Sequence, residues 1–276
     1  MKSTLVLFGA GHMGSAIASG MLRIGKTNLR IIDPNPSKLE KFRTFGVRTD
    51  TVCSELTPND VLMFAMPPQA FGAFSDSAKN LHCHQGLTIS VMAGIRIIDI
   101  QQAMCIRNVV RSIPNTPSEV FEGMTVYCRS SSVEDTLAQD ARDIFESFGR
   151  AVEVRDETLI DPATALCGGG PAFVAYFADA LQEFGVRAGI STDAVREITV
   201  QTLRGTAALI AATGKPAKQI CSEVMTRGGT TEQGIWHLDA ACLRRTVQEA
   251  LQKATTRSRE LGQVTHEFFL QSEVAK

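Results

Sequence analysis

From Thr4 to about Arg155, short apolar runs alternate with stretches of helical period. The runs LVLF (5–8), LRIID (29–33), VLMFAM (61–66), LTISVMAG (87–94), VVRSI (109–113) and MTVYC (124–128) read as strands. Several are apolar without alternation, the pattern of strands covered on both faces of a parallel sheet. Between them, 16–25, 37–46 and 133–149 place apolar residues at helical spacing and end in glycine, which closes helices because it enters the left-handed region without a Cβ clash. This alternation predicts a doubly wound α/β domain over residues 1–157.

Beyond that point the strand pattern stops. The segments 171–189, 191–214 and 244–262 are long, amphipathic and bounded by Gly, Pro or Ser, so residues 158–276 read as an all-helical domain. Segment 191–214 is apolar on more than one face. That fits burial between helices of a second subunit, and equally a satellite bundle on the chain's own α/β domain.

Composition narrows the partners. The 276 residues are 44% apolar and 6% aromatic, with a formal net charge of −1 and no basic run of five. A nucleic-acid footprint is missing, and a small molecule becomes the default ligand. No charge-free apolar segment is long enough to span a bilayer, and the first strand follows Met1 too closely to leave room for a leader, so no membrane association and a cytoplasmic location are expected. Seven cysteines without a C-x-x-C pair read as reduced thiols, and His82-Cys83-His84 is not expected to hold a metal.

The sharpest motif is G-x-G-x-x-G at Gly9, Gly11 and Gly14, which follows an apolar strand and opens a helix. A second strand then ends in Asp33, at the spacing of a Rossmann-type dinucleotide fold. Gly9 permits the tight turn, Gly11 clears the approach of a pyrophosphate, and Gly14 lets the helix pack close to the strand. His12 and Met13 add backbone N–H groups at the helix start. Asp33 argues for NADH by accepting from a ribose hydroxyl. The following PNPSK offers Asn35, Ser37 and Lys38 within reach of a 2′-phosphate and hence NADPH, and Asp33 could instead cap the next helix through its backbone.

Three further loops follow strands: AMPPQAF with Ala65, Met66 and Pro67; SVMAG with Ala93; and SIPNTPSEV with Asn115 and Thr116. Ligands in open α/β sheets bind beyond the carboxyl ends of strands, so these loops should frame a nicotinamide. Late in the chain, VMTRGGTTEQGIWHLD presents a second glycine pair before a helix, a place where free N–H groups can take an anion. A threonine-capped helix after a flexible turn accounts for the same residues.

The ordered set FGAGHMGSAI, AMPPQ, SVMAG, SIPNTPSEVFEGMTV, CGGGPAFV and RGGTTEQGI resembles Δ1-pyrroline-5-carboxylate reductases over nearly the whole chain. The resemblance implies a helical dimerisation domain, a homodimer or ring of dimers, and NAD(P)H-dependent reduction of a cyclic imine carboxylate to L-proline. It also implies that Gly228, Gly229, Thr230 and Thr231 hold the substrate carboxylate, that the Thr231 hydroxyl lies near the imine nitrogen, and that Gly170 and Pro171 form the facing wall. Departures cluster there: Arg227 stands where proline is usual, Cys167 and Gly169 where serines are, and Phe173 where tyrosine is common. A paralogous reductase of another small imine or acid, and a dinucleotide-binding regulatory protein without turnover, stay open as alternatives.

Overall fold

The computed structural model describes the backbone of residues 3–274 and the side chains of residues 3–263. Eight strands form one sheet: β1 (Leu5–Phe8), β2 (Leu29–Ile32), β3 (Arg48–Asp50), β4 (Val61–Phe64), β5 (Thr88–Ser90), β6 (Val109–Pro114), β7 (Gly123–Arg129) and β8 (Gly149–Glu153), in spatial order β3-β2-β1-β4-β5-β6-β7-β8. Crossover helices α1 (His12–Arg23), α2 (Glu40–Arg43), α3 (Phe71–Ser77), α4 (Ile97–Met104) and α5 (Asp135–Glu146) connect them.

Side chains alternate across β1, and both faces are covered. Leu5 and Leu7 join a core with Ile17, Met21, Phe42, Tyr127, Phe145 and Phe148. Val6 and Phe8 join another with Leu62, Phe64, Phe71, Ile100 and Met104. Period-2 alternation is invisible in LVLF because neither face meets water.

The structure departs from the expected all-parallel sheet at β7, which pairs antiparallel with β6. The link 115–122 is too short for a crossover and folds instead as a 3-10 turn, Thr116–Val120, that returns the chain beside its own strand. Strands β3 and β8 escape sequence reading because they are edges: Arg48-Thr49-Asp50 has no apolar residue at all. The helix expected over 37–46 shortens to a 3-10 turn, Pro36–Lys38, and α2.

After β8 come α6 (Ile160–Ala163), a π-helical turn (Thr164–Gly168), α7 (Gly170–Arg187), α8 (Thr192–Thr213), α9 (Ala217–Val224), α10 (Thr230–Ala240) and α11 (Leu243–Val274). Buried Arg111 of β6 reaches Glu157 at 3.0 Å and Asp161 at 3.3 Å, pinning the entry of this region to the sheet.

The chain divides into two compact units, Met1–Gly170 with Gln252–Lys276, and Pro171–Leu251. Within the first, Ser258 of α11 donates to the Asp161 carboxylate at 2.9 Å. The second unit packs α7 on α8 through Gly185, where a Cβ would stand 2.7 Å from Val195. Phe173, Val174, Tyr176, Phe177, Phe184 and Ile198 of these two helices nonetheless stay exposed. Among the described residues no helix is long and apolar enough to cross a membrane.

Candidate functional site

The first glycine loop has the geometry its residues suggested. Gly9 has φ +105°, and a Cβ there would meet the Ala65 carbonyl oxygen at 2.7 Å, so only glycine makes this turn beside β4. A Cβ on Gly14 would overlap the Gly9 carbonyl oxygen, so α1 touches the strand end directly. Gly11 is different: a Cβ there would meet nothing within 4 Å. Its missing side chain serves a space outside the protein, at a helix N-terminus whose first N–H groups have no intrahelical acceptor. These residues fit a dinucleotide pyrophosphate.

Asp33 is bound from the protein side. Only 3% exposed, it accepts the Ala10 N–H on Oδ2 at 2.8 Å and the Asn35 N–H on Oδ1 at 2.9 Å, with Lys38 Nζ 3.6 Å from Oδ2. The carboxylate ties the glycine loop to the end of β2. The exposed polar groups at that strand end are those of Asn35, which receives Ser37 N–H and Oγ–H on Oδ1 at 3.1 and 2.8 Å, and of Lys38. Ser15 adds a link invisible in sequence: its hydroxyl donates to the Ala10 carbonyl and accepts from Lys41 Nζ at 2.9 Å. The side chain of Met13 packs on the core, so only its backbone faces the loop.

The remaining loops follow neighbouring strands of the sheet. Ala65 N–H bonds to the Phe8 carbonyl at 2.8 Å, which sets the Ala65–Pro67 turn against the first glycine. Ala93, after β5, and Asn115, after β6, are half-buried on the same carboxyl edge. Asn115 holds the β6–β7 return by accepting Met124 N–H on Oδ1 at 2.8 Å, which leaves its Nδ2 to donate. The return packs on α1: Arg23 lies 4.0 Å over the Phe121 ring, and Glu119 pairs with exposed His12. No spacing in the sequence announced Glu119.

In the second unit, Thr226 to Gly229 form a turn closed by Gly229 N–H to the Thr226 carbonyl at 2.8 Å, with φ +73° at Gly228. This is a type II geometry, in which proline is favoured at the second position and glycine at the third. Exposed Arg227 fills the proline place. Glu232 accepts Gly228 N–H at 2.7 Å, so both glycine N–H groups are committed inside the turn. The donors left at the start of α10 are the N–H groups of exposed Thr230 and Thr231 and of Glu232. In the CGGGP segment the Cys167 thiol turns to the sheet, donating to the Met124 carbonyl at 3.3 Å, and burial pushes it up to about 11. Gly170 opens α7 with open space where a Cβ would stand, and Pro171 follows in the first turn, where a missing N–H costs no helical bond.

Residues 157–261 match the family model of pyrroline-5-carboxylate reductase dimerisation, and residues 4–94 that of NADP oxidoreductase, coenzyme F420-dependent. The chain is 32% identical to pyrroline-5-carboxylate reductase 3 of Rattus norvegicus across 92% of its own length and 94% of the relative's. The chain belongs to the pyrroline-5-carboxylate reductase family. It is also 32% identical to the Synechocystis reductase, over 95% of this chain and 99% of that one. Among solved structures, the Coxiella burnetii reductase superposes with a TM-score of 0.88 at 28% identity, covering 95% of this chain and 99% of that one. The Plasmodium falciparum enzyme with NADP bound gives 0.82 at 28% identity, covering 95% and 98%. Membership accounts for the exposed apolar faces of α7 and α8, which lie inside the matched dimerisation segment and support assembly with other copies.

Proposed function

We propose that this protein reduces 1-pyrroline-5-carboxylate to L-proline with NADPH. Bound at the glycine loop, the cofactor supplies the hydride that the imine carbon receives. The chain's own residues bind and orient. Gly11 clears the pyrophosphate approach, the N–H groups of His12, Met13 and Gly14 face it, and Asp33 keeps the loop in shape. Asn35, Ser37 and Lys38 are the groups that take a 2′-phosphate, which favours NADPH while leaving NADH usable. Ala65, Met66, Pro67, Ala93 and Asn115 border the nicotinamide.

The substrate carboxylate belongs to Thr230 and Thr231 N–H at the start of α10, in the turn that Gly228 and Gly229 make, with Gly170 and Pro171 as the facing wall. The Thr231 hydroxyl is the donor for the imine nitrogen. Little else is required, because a hydrogen bond to the imine nitrogen makes its carbon more electrophilic, that nitrogen takes a proton as the hydride arrives, and the burden is positioning. The assembly is a homodimer, alone or within a ring of dimers, in the cytoplasm.

The observation that carries this reading is the Gly9/Gly11/Gly14 geometry joined to family membership over 92% of the chain. The test follows NADPH absorbance with pyrroline-5-carboxylate and with the one-carbon-larger piperideine carboxylate. Tight NADPH binding without oxidation by either imine would sink the proposal, and a strong preference for the larger ring would reassign the substrate.

A further inference from the structure

Two exposed cysteines at the edge of the sheet opposite the cofactor loops form a pair that the reductase chemistry does not use. Cys83 precedes β5 and Cys105 ends α4 just before β6, so both lie at the amino ends of adjacent strands. Cys83 N–H donates to the carbonyl of Met104 at 2.9 Å. Standard bond lengths then hold the two Cα atoms within about 7 Å of each other, at the reach of a disulfide, whose Cα atoms stand about 4.4–6.8 Å apart. Both residues also sit in the left-handed region, Cys83 at φ 59° and Cys105 at φ 53°. Glycine or asparagine usually holds such positions, including the residue that closes a helix, because a Cβ is crowded there.

The neighbouring histidines do not compete for a metal. His82 and His84 donate Nε2–H to the carbonyls of Ser75 and Asp60 at 2.9 and 2.8 Å, and among the described residues no group of three His, Cys, Asp or Glu could hold a cation. Nor do the other thiols of the first unit resemble this pair. Burial pushes Cys128 up to about 12 and Cys167 up to about 11, and Cys53 is half-buried with its thiol raised by desolvation.

We propose that Cys83 and Cys105 are an oxidation site, a dithiol that a hydroperoxide closes to a disulfide. One thiolate attacks the peroxide O–O bond, giving a sulfenic acid and releasing water or alcohol. The second thiol then attacks that sulfur and expels water, so the peroxide is reduced by two electrons and one S–S bond replaces two S–H bonds. The crosslink ties the end of α4 to the approach of β5 and leaves the cofactor edge untouched.

The reduced full-length protein is treated with one equivalent of hydrogen peroxide, its remaining thiols are alkylated, and it is digested with trypsin, which cuts after Arg96 between the two cysteines. The expected result is one linked pair of peptides carrying Cys83 and Cys105, and a Tm about 3–8 °C above that of the reduced protein, as expected for a closed loop of this length. The Tm gain should vanish in Cys83→Ser and in Cys105→Ser. As a probe of the reduced pair, phenylarsine oxide should bind one per chain with loss of water, reversibly with ethanedithiol, and should fail to bind either variant. Separately alkylated Cys83 and Cys105 after peroxide treatment, a linked peptide from any other pair, or arsenical binding that survives the serine variants would overturn the assignment.

Discussion

The two glycine loops of this chain begin helices with similar residues and are built on opposite principles. In GAGHMG, Gly9 and Gly14 touch backbone that leaves no room for a side chain, and Gly11 faces open space. In TRGGTT, Gly228 has nothing within 4 Å, a Cβ on Gly229 would meet Thr226 of its own turn, and the loop is shaped by a hydrogen-bonded turn and the Glu232 carboxylate. The first is a packed socket on a self-contained sheet. The second is an exposed turn on a helical unit whose apolar faces are open. Tight phosphate recognition demands the first arrangement, while a small carboxylate can be held by two N–H groups at a helix start.

The sharpest way to break this contrast is alanine at two glycines of the socket. Gly14→Ala should lose NADPH binding altogether and destabilise the protein by about 3 kcal/mol or more, since the overlap is with backbone. Gly11→Ala should leave the denaturation midpoint unchanged and still raise the Kd for NADPH at least tenfold by calorimetry. Equal losses of stability in both variants would show that Gly11 is structural.

Thr231→Ala should lower kcat about 10–1000-fold, the range for a positioned donor, with NADPH affinity intact. A full rate would leave Thr231 as part of a helix start alone. For the open helical unit, Phe177→Asp with Phe184→Asp should shift sedimentation from oligomer to monomer and remove most activity. A dimer that survives both charges places the interface on other faces.

Asp33→Ser should weaken NADPH and NADH alike, by about 10–100-fold, because the carboxylate holds the Ala10 and Asn35 N–H groups. A change in the ratio of kcat/KM for the two cofactors, without common loss, would restore Asp33 to the ribose. The smallest effect belongs to Arg227→Pro. Proline suits the second position of the type II turn, so stability should rise by about 0.4–1 kcal/mol with KM for the imine unchanged. A higher KM would mean that the exposed guanidinium reaches the substrate carboxylate.

Much of this was legible in the residues. The strand and helix alternation, the glycine fingerprint and the ordered PNTP, GGGP and GGTT segments specify a local chemistry that does not depend on distant contacts: a turn that needs φ above zero, a helix that needs a start, a strand covered on both faces. What escaped had no local signal. Edge strands β3 and β8 lack an apolar pattern, the return of β7 depended on how far the link 115–122 could reach, and Glu119 met His12 only because that return packs on α1.

Asp33 draws the line most clearly. Its place after the second strand was readable, and its hydrogen bonds were not, because only the tertiary structure brings the Ala10 and Asn35 N–H groups to the carboxylate. The sequence by itself determined the family and the order of a strand-and-helix half followed by a helical half, whereas the return of residues 252–276 to the first compact unit was set by the tertiary structure. The burial of Asp33, the commitment of both GGTT glycine N–H groups and the meeting of Cys83 with Met104 were decided by contacts between segments far apart or by the closing of a single turn. Hydrogen bonds are satisfied in three dimensions, so the role of a polar residue is set by the partner that reaches it.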